Sequence, residues 1–393
     1  MRTRILLVLA WYLPGFRGGG SIRTVANLIE YLGDQYDFLI LTSDRDWRSS
    51  APYDGIRTGE WTQVGKARVR YLEPREWSLR RLARLMRSVP YDVLYLNSLF
   101  SPDATIRPLL LRRFGALPSA PVILGPRGEL APGAMSTSTW KKRAWLAAAR
   151  ALRLLRGILW QASTAAESAD IRRALGDVEI AEALDCSPDY RDWPGYAVRA
   201  PKAPGRARIC FVSRIAPVKN VEFALRLFEG MEGDVTLDLY GPIDHPEYWA
   251  RCESVIAALP PNVRVAYRGA VEYADLGHLL ATYDLFLLPT LGENFGHTIL
   301  EALAAGCPVL VSDRTPWRDL EASGVGWDVP LDDAEAFRRA LRTVIAMDEP
   351  LHAELRHRAR TLALRCADPA LAIEQNRALF EHALRLSPQS KWR

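Results

Sequence analysis

Several things are missing from this 393-residue chain. No stretch of about 18 consecutive apolar residues occurs, so no membrane-spanning helix is predicted. Cysteines 186, 210, 252, 307 and 366 are odd in number, widely spaced and nowhere in a Cys-x-x-Cys pair. That argues against a disulfide framework and a zinc site, and it fits a reduced, cytoplasmic protein. All six histidines lie at 245 or later, so no imidazole in the N-terminal half can act as an acid–base group. No short-period repeat is present, which excludes a solenoid. No DNA- or RNA-reading module is recognisable, which argues against a nucleic-acid partner. The basic Met1-Arg-Thr-Arg4 start and the apolar residues after it superficially resemble a signal peptide. Tyr12-Leu-Pro-Gly-Phe-Arg17 offers no small-residue cleavage site, however, and a first buried strand is expected instead.

What is present is ordinary in bulk and uneven in distribution. Hydrophobic residues make up 49% and charged residues 25%, as in a globular protein long enough for two or three domains. Net charge is +5. Residues 1–200 hold 29 Lys and Arg against 20 Asp and Glu, leaving the remainder net negative. Such asymmetry suggests two domains with different partners. A basic first half suits anionic lipid, an acidic acceptor or nucleic acid, and it equally suits a solvated basic surface.

Apolar runs and amphipathic stretches alternate along the chain. Strands are predicted at 4–12, 36–42, 68–72, 93–97, 122–124 and 158–162, with helices at 21–32, 79–87, 105–114 and 139–155. Ala200-Pro-Lys-Ala-Pro-Gly-Arg206 reads as a linker. A second series comes at 208–213, 235–240, 263–267, 285–290 and 308–312, and the chain is mostly helical from Asp333 to about Leu386. Two successive doubly wound α/β domains with a helical tail are expected, at 1–200, 201–372 and 373–393. Ligands bind such folds at the carboxyl ends of the strands, and two domains facing each other would make a cleft.

The densest chemistry lies at Leu291-Gly-Glu-Asn-Phe-Gly-His-Thr-Ile-Leu-Glu301, between an apolar strand and a helix rich in small residues. Gly292 and Gly296 let a ligand approach the backbone. Amides at a helix start favour an anion. Glu293 and Glu301 are eight residues apart, about 12 Å if the segment is helical throughout. Read alone, they are also two glutamates near a helix terminus, the first favoured by the helix dipole.

This spacing resembles the E-x7-E motif of GT-B fold glycosyltransferases, in particular family 4. Phe211-Val-Ser-Arg214 with Pro217-Val-Lys-Asn220 resembles that family's strand–Arg–x4–Lys segment, and Gly18-Gly-Gly20 stands where it has a Gly-rich turn. Gly125-Pro-Arg-Gly-Glu129 resembles the PRG segment of a bacterial branch that builds surface polysaccharide. The resemblance covers essentially the whole chain. It implies two Rossmann-like domains, an acceptor-binding first half, a donor-binding second half, and a tail helix returning to the first domain.

It also implies roles. Glu293 would contact the transferred sugar and Glu301 the ribose. Arg214 and Lys219 would neutralise the donor diphosphate, while Asn294, Phe295, Gly296 and His297 would present amides to sugar and phosphate. Gly19 and Gly20 would face the diphosphate, and Arg23, Arg127 and Glu129 would bind the acceptor, with Glu129 a candidate proton acceptor. The activity implied is retaining transfer of a hexose-type sugar from a nucleotide-diphosphate sugar to a lipid-linked glycan in lipopolysaccharide or exopolysaccharide synthesis, at the inner face of the cytoplasmic membrane. No cofactor and no metal is expected, and Asp44-Arg45-Asp46 is read as capping the next segment rather than binding a metal.

The chain departs from the family where His-Ala-Ser/Thr is usual, having Gln161-Ala-Ser-Thr164 with Glu167, and it has Ala183-Leu-Asp185 in place of Pro-Asn-Gly. A catalytically silent scaffold is therefore the second reading. A nicotinamide-dependent oxidoreductase is the third, because Gly18-x-Gly20-x-x-Arg23 with Asp44 imitates a dinucleotide fingerprint but lacks its third glycine. Basic helices around Arg80–Arg87 and Trp140–Arg156 suit contact with anionic lipid, or simply a solvated back to an apolar face.

Overall fold

The computed structural model describes residues 2–136, 139–191, 193 and 200–386. The chain divides into two compact units, residues 1–188 with 369–393, and residues 189–368. The sequence-based boundaries, 200 and 372, fall twelve and four residues later than these. The tail expected to run to 393 is helical to Arg385, and residues 387–393 lie outside the described set.

The first unit is an eight-stranded sheet with helices on its faces. Its strands are β1 (Thr3–Val8), β2 (Tyr36–Ser43), β3 (Trp61–Val64), β4 (Ala67–Leu72), β5 (Val93–Asn97), β6 (Val122–Gly125), β7 (Ile158–Ala162) and β8 (Ile180–Glu182). Its helices are α1 (Gly20–Leu32), α2 (Leu79–Ser88), α3 (Arg107–Arg113), α4 (Pro132–Ser136), α5 (Thr139–Ala151) and α6 (Ala165–Leu175). The strand order is β3-β4-β2-β1-β5-β6-β7-β8. All neighbours are parallel except β3, which pairs antiparallel with β4. The central strands are apolar on both sides because both faces are covered: every residue of β5, β6 and β7 is buried. On α1, Ile22, Val25, Leu28, Ile29 and Leu32 recur at helical spacing and form the buried face.

The second unit repeats the architecture with six parallel strands: β9 (Arg206–Val212), β10 (Asp234–Tyr240), β11 (Val263–Gly269), β12 (Leu285–Leu288), β13 (Val309–Ser312) and β14 (Gly326–Val329). The helices are α7 (Val221–Arg226), α8 (Pro246–Ala257), α9 (Tyr273–Ala281), α10 (His297–Ala304), α11 (Ala334–Ala346) and α12 (Glu349–Cys366). The order β11-β10-β9-β12-β13-β14 puts β9 at the point where strand order reverses, which is where open α/β sheets bind ligands. The start of α11 is capped by the Asp333 carboxylate, which accepts the Ala336 N–H at 2.8 Å.

A last helix, α13 (Pro369–Arg385), belongs to the first unit. Its Phe380 ring meets Tyr36, Phe38 and Tyr95 at centroid distances of 5.1, 6.1 and 6.1 Å. Asn376 donates to the Leu184 carbonyl at 2.9 Å, beyond the end of β8.

Candidate functional site

In the second unit, four strand-end loops come together by backbone pairing. Beyond β9 and β10 the chain stays zipped. Ser213 N–H donates to Tyr240 O at 3.0 Å, Ile215 N–H to Pro242 O at 2.8 Å, and Asp244 N–H to Ile215 O at 3.1 Å. Gly241 makes this possible. It has φ +130°, and a Cβ there would lie 2.0 Å from the Ser213 carbonyl oxygen. The zipper fixes Arg214 against Asp244, whose carboxylate accepts from Arg214 Nη1 at 2.5 Å. Asp244 is 3% exposed and Arg214 39%. The acid is thus the floor, and the guanidinium, a five-donor fork, still has edges facing outward.

Lys219 ends a short turn, Pro217–Lys219, after β9. The Val218 carbonyl in that turn accepts the Leu291 N–H at 2.8 Å and the Thr290 hydroxyl at 3.1 Å, tying it to the segment after β12. The Glu293 N–H in turn donates to Arg314 O beyond β13 at 3.0 Å. Glu293 is therefore gripped by its backbone from the β13 side and by its carboxylate from the β9 side, where it pairs with the Lys219 ammonium. Their side chains are only 15% and 14% exposed.

The segment Asn294–Gly296 closes onto the start of α10. Gly296 adopts φ +78° and precedes the helix without any side-chain cap. Trp317 from the loop after β13 holds this turn: its indole Nε1–H donates to Phe295 O at 2.8 Å. Its Nε1 would lie 3.1 Å from a Cβ at position 296. The Phe295 and His297 rings meet at 4.7 Å between centroids, tilted by 45°. Nothing lies within 4 Å of a Cβ at Gly292, so the backbone is open to approach there. Glu301 is buried on α10. The segment is not helical throughout, because α10 begins only at His297. The expected 12 Å separation of the two glutamates therefore has no basis; the helical part, from His297 to Glu301, rises about 6 Å.

The first unit's candidates are arranged differently. The Gly-rich loop enters α1 through Gly19 at φ +79°, with open space around a Cβ at that position, and Arg23 lies half-buried in the first turn of α1. Asp46, expected to cap the segment after it, takes the Trp47 N–H at 2.7 Å. It also reaches back to the Phe16 and Arg17 amides at 2.9 and 3.1 Å, fastening the Gly-rich loop.

Arg127 and Glu129, expected to present their charges to an acceptor, are turned to the protein. Arg127 donates to Asn97 at 2.5 Å, Tyr95 at 2.7 Å and Gln161 at 3.1 Å, and it pairs with Asp185. Its side chain is 10% exposed and that of Asp185 5%. Burial, the largest single influence, would weaken the guanidinium's charge, but Asp185 together with Tyr95, Glu167 and Cys186 outweighs it and Arg127 is held firmly protonated. Burial pushes the Tyr95 phenol up to about 12. The Arg127 backbone sits in the left-handed region, φ +54°, a conformation that four side-chain bonds over-determine. Glu129 accepts from Ser98 Oγ at 2.8 Å and from the Leu99 and Phe100 amides at 2.5 and 3.2 Å. Burial raises its pKa against the pull of those donors. Glu167 accepts the Gly128 N–H at 2.6 Å and so staples the same turn.

Sequence reasoning missed Asp244, Trp317 and the scaffold around Gln161. Asp244 reads as one more acid beside a helix start, and its ion-pair role depends on the β9–β10 zipper. Trp317 carries a signal in Thr315-Pro-Trp317, an indole in a short polar loop beyond a buried strand, but its target lies 22 residues away. Among the described residues no three His, Cys, Asp or Glu side chains are grouped to hold a metal ion, and no helix is long and apolar enough to cross a membrane.

Comparison with known proteins bears on both units. Residues 198–362, most of the second unit, match the model of the family described as Glycosyl transferases group 1. A stretch of 85 residues, 21% of this chain, is 35% identical to the phosphatidyl-myo-inositol mannosyltransferase of Mycolicibacterium smegmatis. The chain spans about a fifth of the length of that curated relative. Among solved structures, HepE of Anabaena in complex with UDP and glucose aligns over 97% of this chain and 100% of its own, with a TM-score of 0.70 at 16% identity. WaaG, a glycosyltransferase involved in lipopolysaccharide biosynthesis, aligns over 98% and 99% with a TM-score of 0.63 at 15% identity. The chain has the GT-B fold, two α/β units with essentially parallel sheets.

Proposed function

We propose that the protein is a family 4 type glycosyltransferase, moving a hexose-type sugar from a nucleotide-diphosphate sugar to a glycan acceptor with retention at the anomeric carbon. The observation that carries this reading is the pairing of Lys219 with Glu293 across the ends of the neighbouring strands β9 and β12, with Arg214 on the same loop as Lys219, in the region matched to glycosyl transferases group 1. Two cations at a diphosphate stabilise the charge that develops as the sugar–oxygen bond breaks, and they fill the role a metal would otherwise take. Glu293 offers carboxylate oxygens to the sugar's hydroxyls, and Asn294–His297 offers the turn where the chain enters α10. Glu301 is assigned to the ribose, and Gly19 and Gly20 to the phosphates.

In the proposed chemistry the anomeric carbon–phosphate bond breaks and a bond to the acceptor oxygen forms on the same face, with the acceptor's proton passing to the departing phosphate. On the acceptor side we assign Arg23. Arg127 and Glu129 serve by shaping the loops at the ends of β5 and β6. A lipid-linked acceptor in surface-polysaccharide synthesis, reached from the cytoplasmic face, is the setting we favour. It is supported by the basic surfaces of the first unit: Arg80, Arg81, Arg84 and Arg87 are exposed on α2, and exposed Trp140 is followed by Lys141, Arg143 and Arg150 on α5. Flotation with anionic and neutral vesicles tests that setting, and equal recovery in both would sink it.

The donor reading is tested by melting shifts with UDP, GDP and ADP, followed by assay of donor consumption. One nucleotide should stabilise the protein and its hexose conjugates should be consumed, and Arg214→Ala should lose both. Stabilisation without consumption would favour the silent scaffold, and stabilisation by a nicotinamide dinucleotide alone would favour the oxidoreductase.

A further inference from the structure

Each of the two cations assigned to the diphosphate is delivered with its own carboxylate, Asp244 to Arg214 and Glu293 to Lys219. The four charges cancel. A diphosphate approaching them meets no net positive field from the set and two acids within reach. The two acids differ in placement. Asp244 lies beneath the exposed guanidinium and leaves the outward donors of Arg214 available. Glu293 stands beside an ammonium, a compact point charge rather than a planar fork, and is as exposed as its partner. A phosphate that takes Lys219 must share that charge with Glu293 or draw it away, and in either case it comes to lie next to a carboxylate.

We infer that Glu293 makes the site discriminate a sugar-bearing nucleotide from the bare nucleotide diphosphate, by acting as the counter-ion that Lys219 gives up only when hydroxyl donors replace it. The inference rests on the donor-site reading above. With a sugar attached, the hydroxyls donate to the freed carboxylate, and charge-assisted bonds of that kind are the strong ones. With the sugar gone, nothing offsets the like-charge repulsion between Glu293 and the phosphate. The same residue that orients the sugar thus weakens the product nucleotide, and transfer itself triggers release.

Glu293→Gln keeps the side chain's shape and one acceptor while removing its charge. Titration calorimetry on the whole chain, using the nucleotide diphosphate that gives the largest melting shift and its hexose conjugate, tests the idea. In Glu293→Gln the bare nucleotide should bind about tenfold tighter, and the conjugate's advantage over it should shrink. Glu293→Asp, which keeps the charge, should bind the bare nucleotide within about twofold of wild type. An unchanged or weaker affinity of Glu293→Gln for the bare nucleotide overturns the inference. So does tighter binding by Glu293→Asp, which serves as the readout if the glutamine variant does not fold. If wild-type protein binds none of the three nucleotides, the donor-site reading fails as well. If wild type binds and Arg214→Ala does not, while Glu293→Gln shows no gain, the discrimination alone is refuted.

Discussion

Arg127 and Arg214 occupy matching places in the two units, each two residues beyond the end of a central strand, and they are held in opposite ways. Arg127 is sunk among Asn97, Asp185, Tyr95 and Gln161, with almost no donor left over. Arg214 has one acid beneath it and an exposed fork above. A guanidinium whose donors are consumed inside the fold is scaffold, whereas one with a single buried partner can still meet a ligand. Sequence position alone does not distinguish them, because both follow a buried apolar strand by two residues.

The comparison can be broken by measurement. Arg127→Met should cost the most stability, about 3–5 kcal/mol, because it takes the guanidinium from a buried Asp185 and its N–H donors from Asn97 and Tyr95. Urea unfolding of Arg127→Met beside Arg214→Met checks it, and equal losses would erase the distinction between scaffold and site. Trp317→Phe sharpens the contrast from the other side. It removes one N–H bond to Phe295 O in a half-buried turn, so the fold should barely change. Loss of positioning should instead lower kcat/KM by about 2- to 10-fold, whereas a purely structural tryptophan would move the melting temperature and leave kinetics alone.

The smallest effect concerns Glu129 on the scaffold side. Its pKa is raised in the folded chain, so the folded state holds this proton to higher pH than the unfolded one. The resulting stability is present in full below its ordinary value of 4.5 and declines as pH rises through the folded pKa. Glu129→Gln should flatten that part of the stability–pH curve, and an unchanged slope would remove Glu129 from the account.

Much of the fold was legible because both faces of the central strands are covered, which turns β5, β6, β7, β12 and β13 into short apolar runs. The strands that escaped lie at the sheet edges. β3, β8 and β14 are three or four residues long and carry half-buried or exposed polar residues, so neither periodicity nor an apolar run marks them. The first predicted strand was too long: β1 ends at Val8 and the chain turns before Tyr12. At the site, residue types and loops were legible and pairings were not. Lys219 and Glu293 are 74 positions apart and meet only because β9 and β12 are neighbours in the sheet. Reading Glu293-x7-Glu301 as one helix failed because Gly296, in the left-handed region, delays the helix start to His297.

The placement of α13 has a consequence for synthesis. Residues 189–368 form a self-contained unit, yet they are threaded between two segments of the other. The aromatic socket of Tyr36, Phe38 and Tyr95 is filled by Phe380, so a nascent chain emerging amino end first carries that socket open until Phe380 is made. Of the two units, the one holding Tyr36, Phe38 and Tyr95 is completed after the other, and residues 189–368 can complete their core while it waits. A chain stopped after Asp368 and treated with protease should therefore be cut in its first 188 residues while the second unit survives. Equal resistance of both would show that the socket does not need its plug.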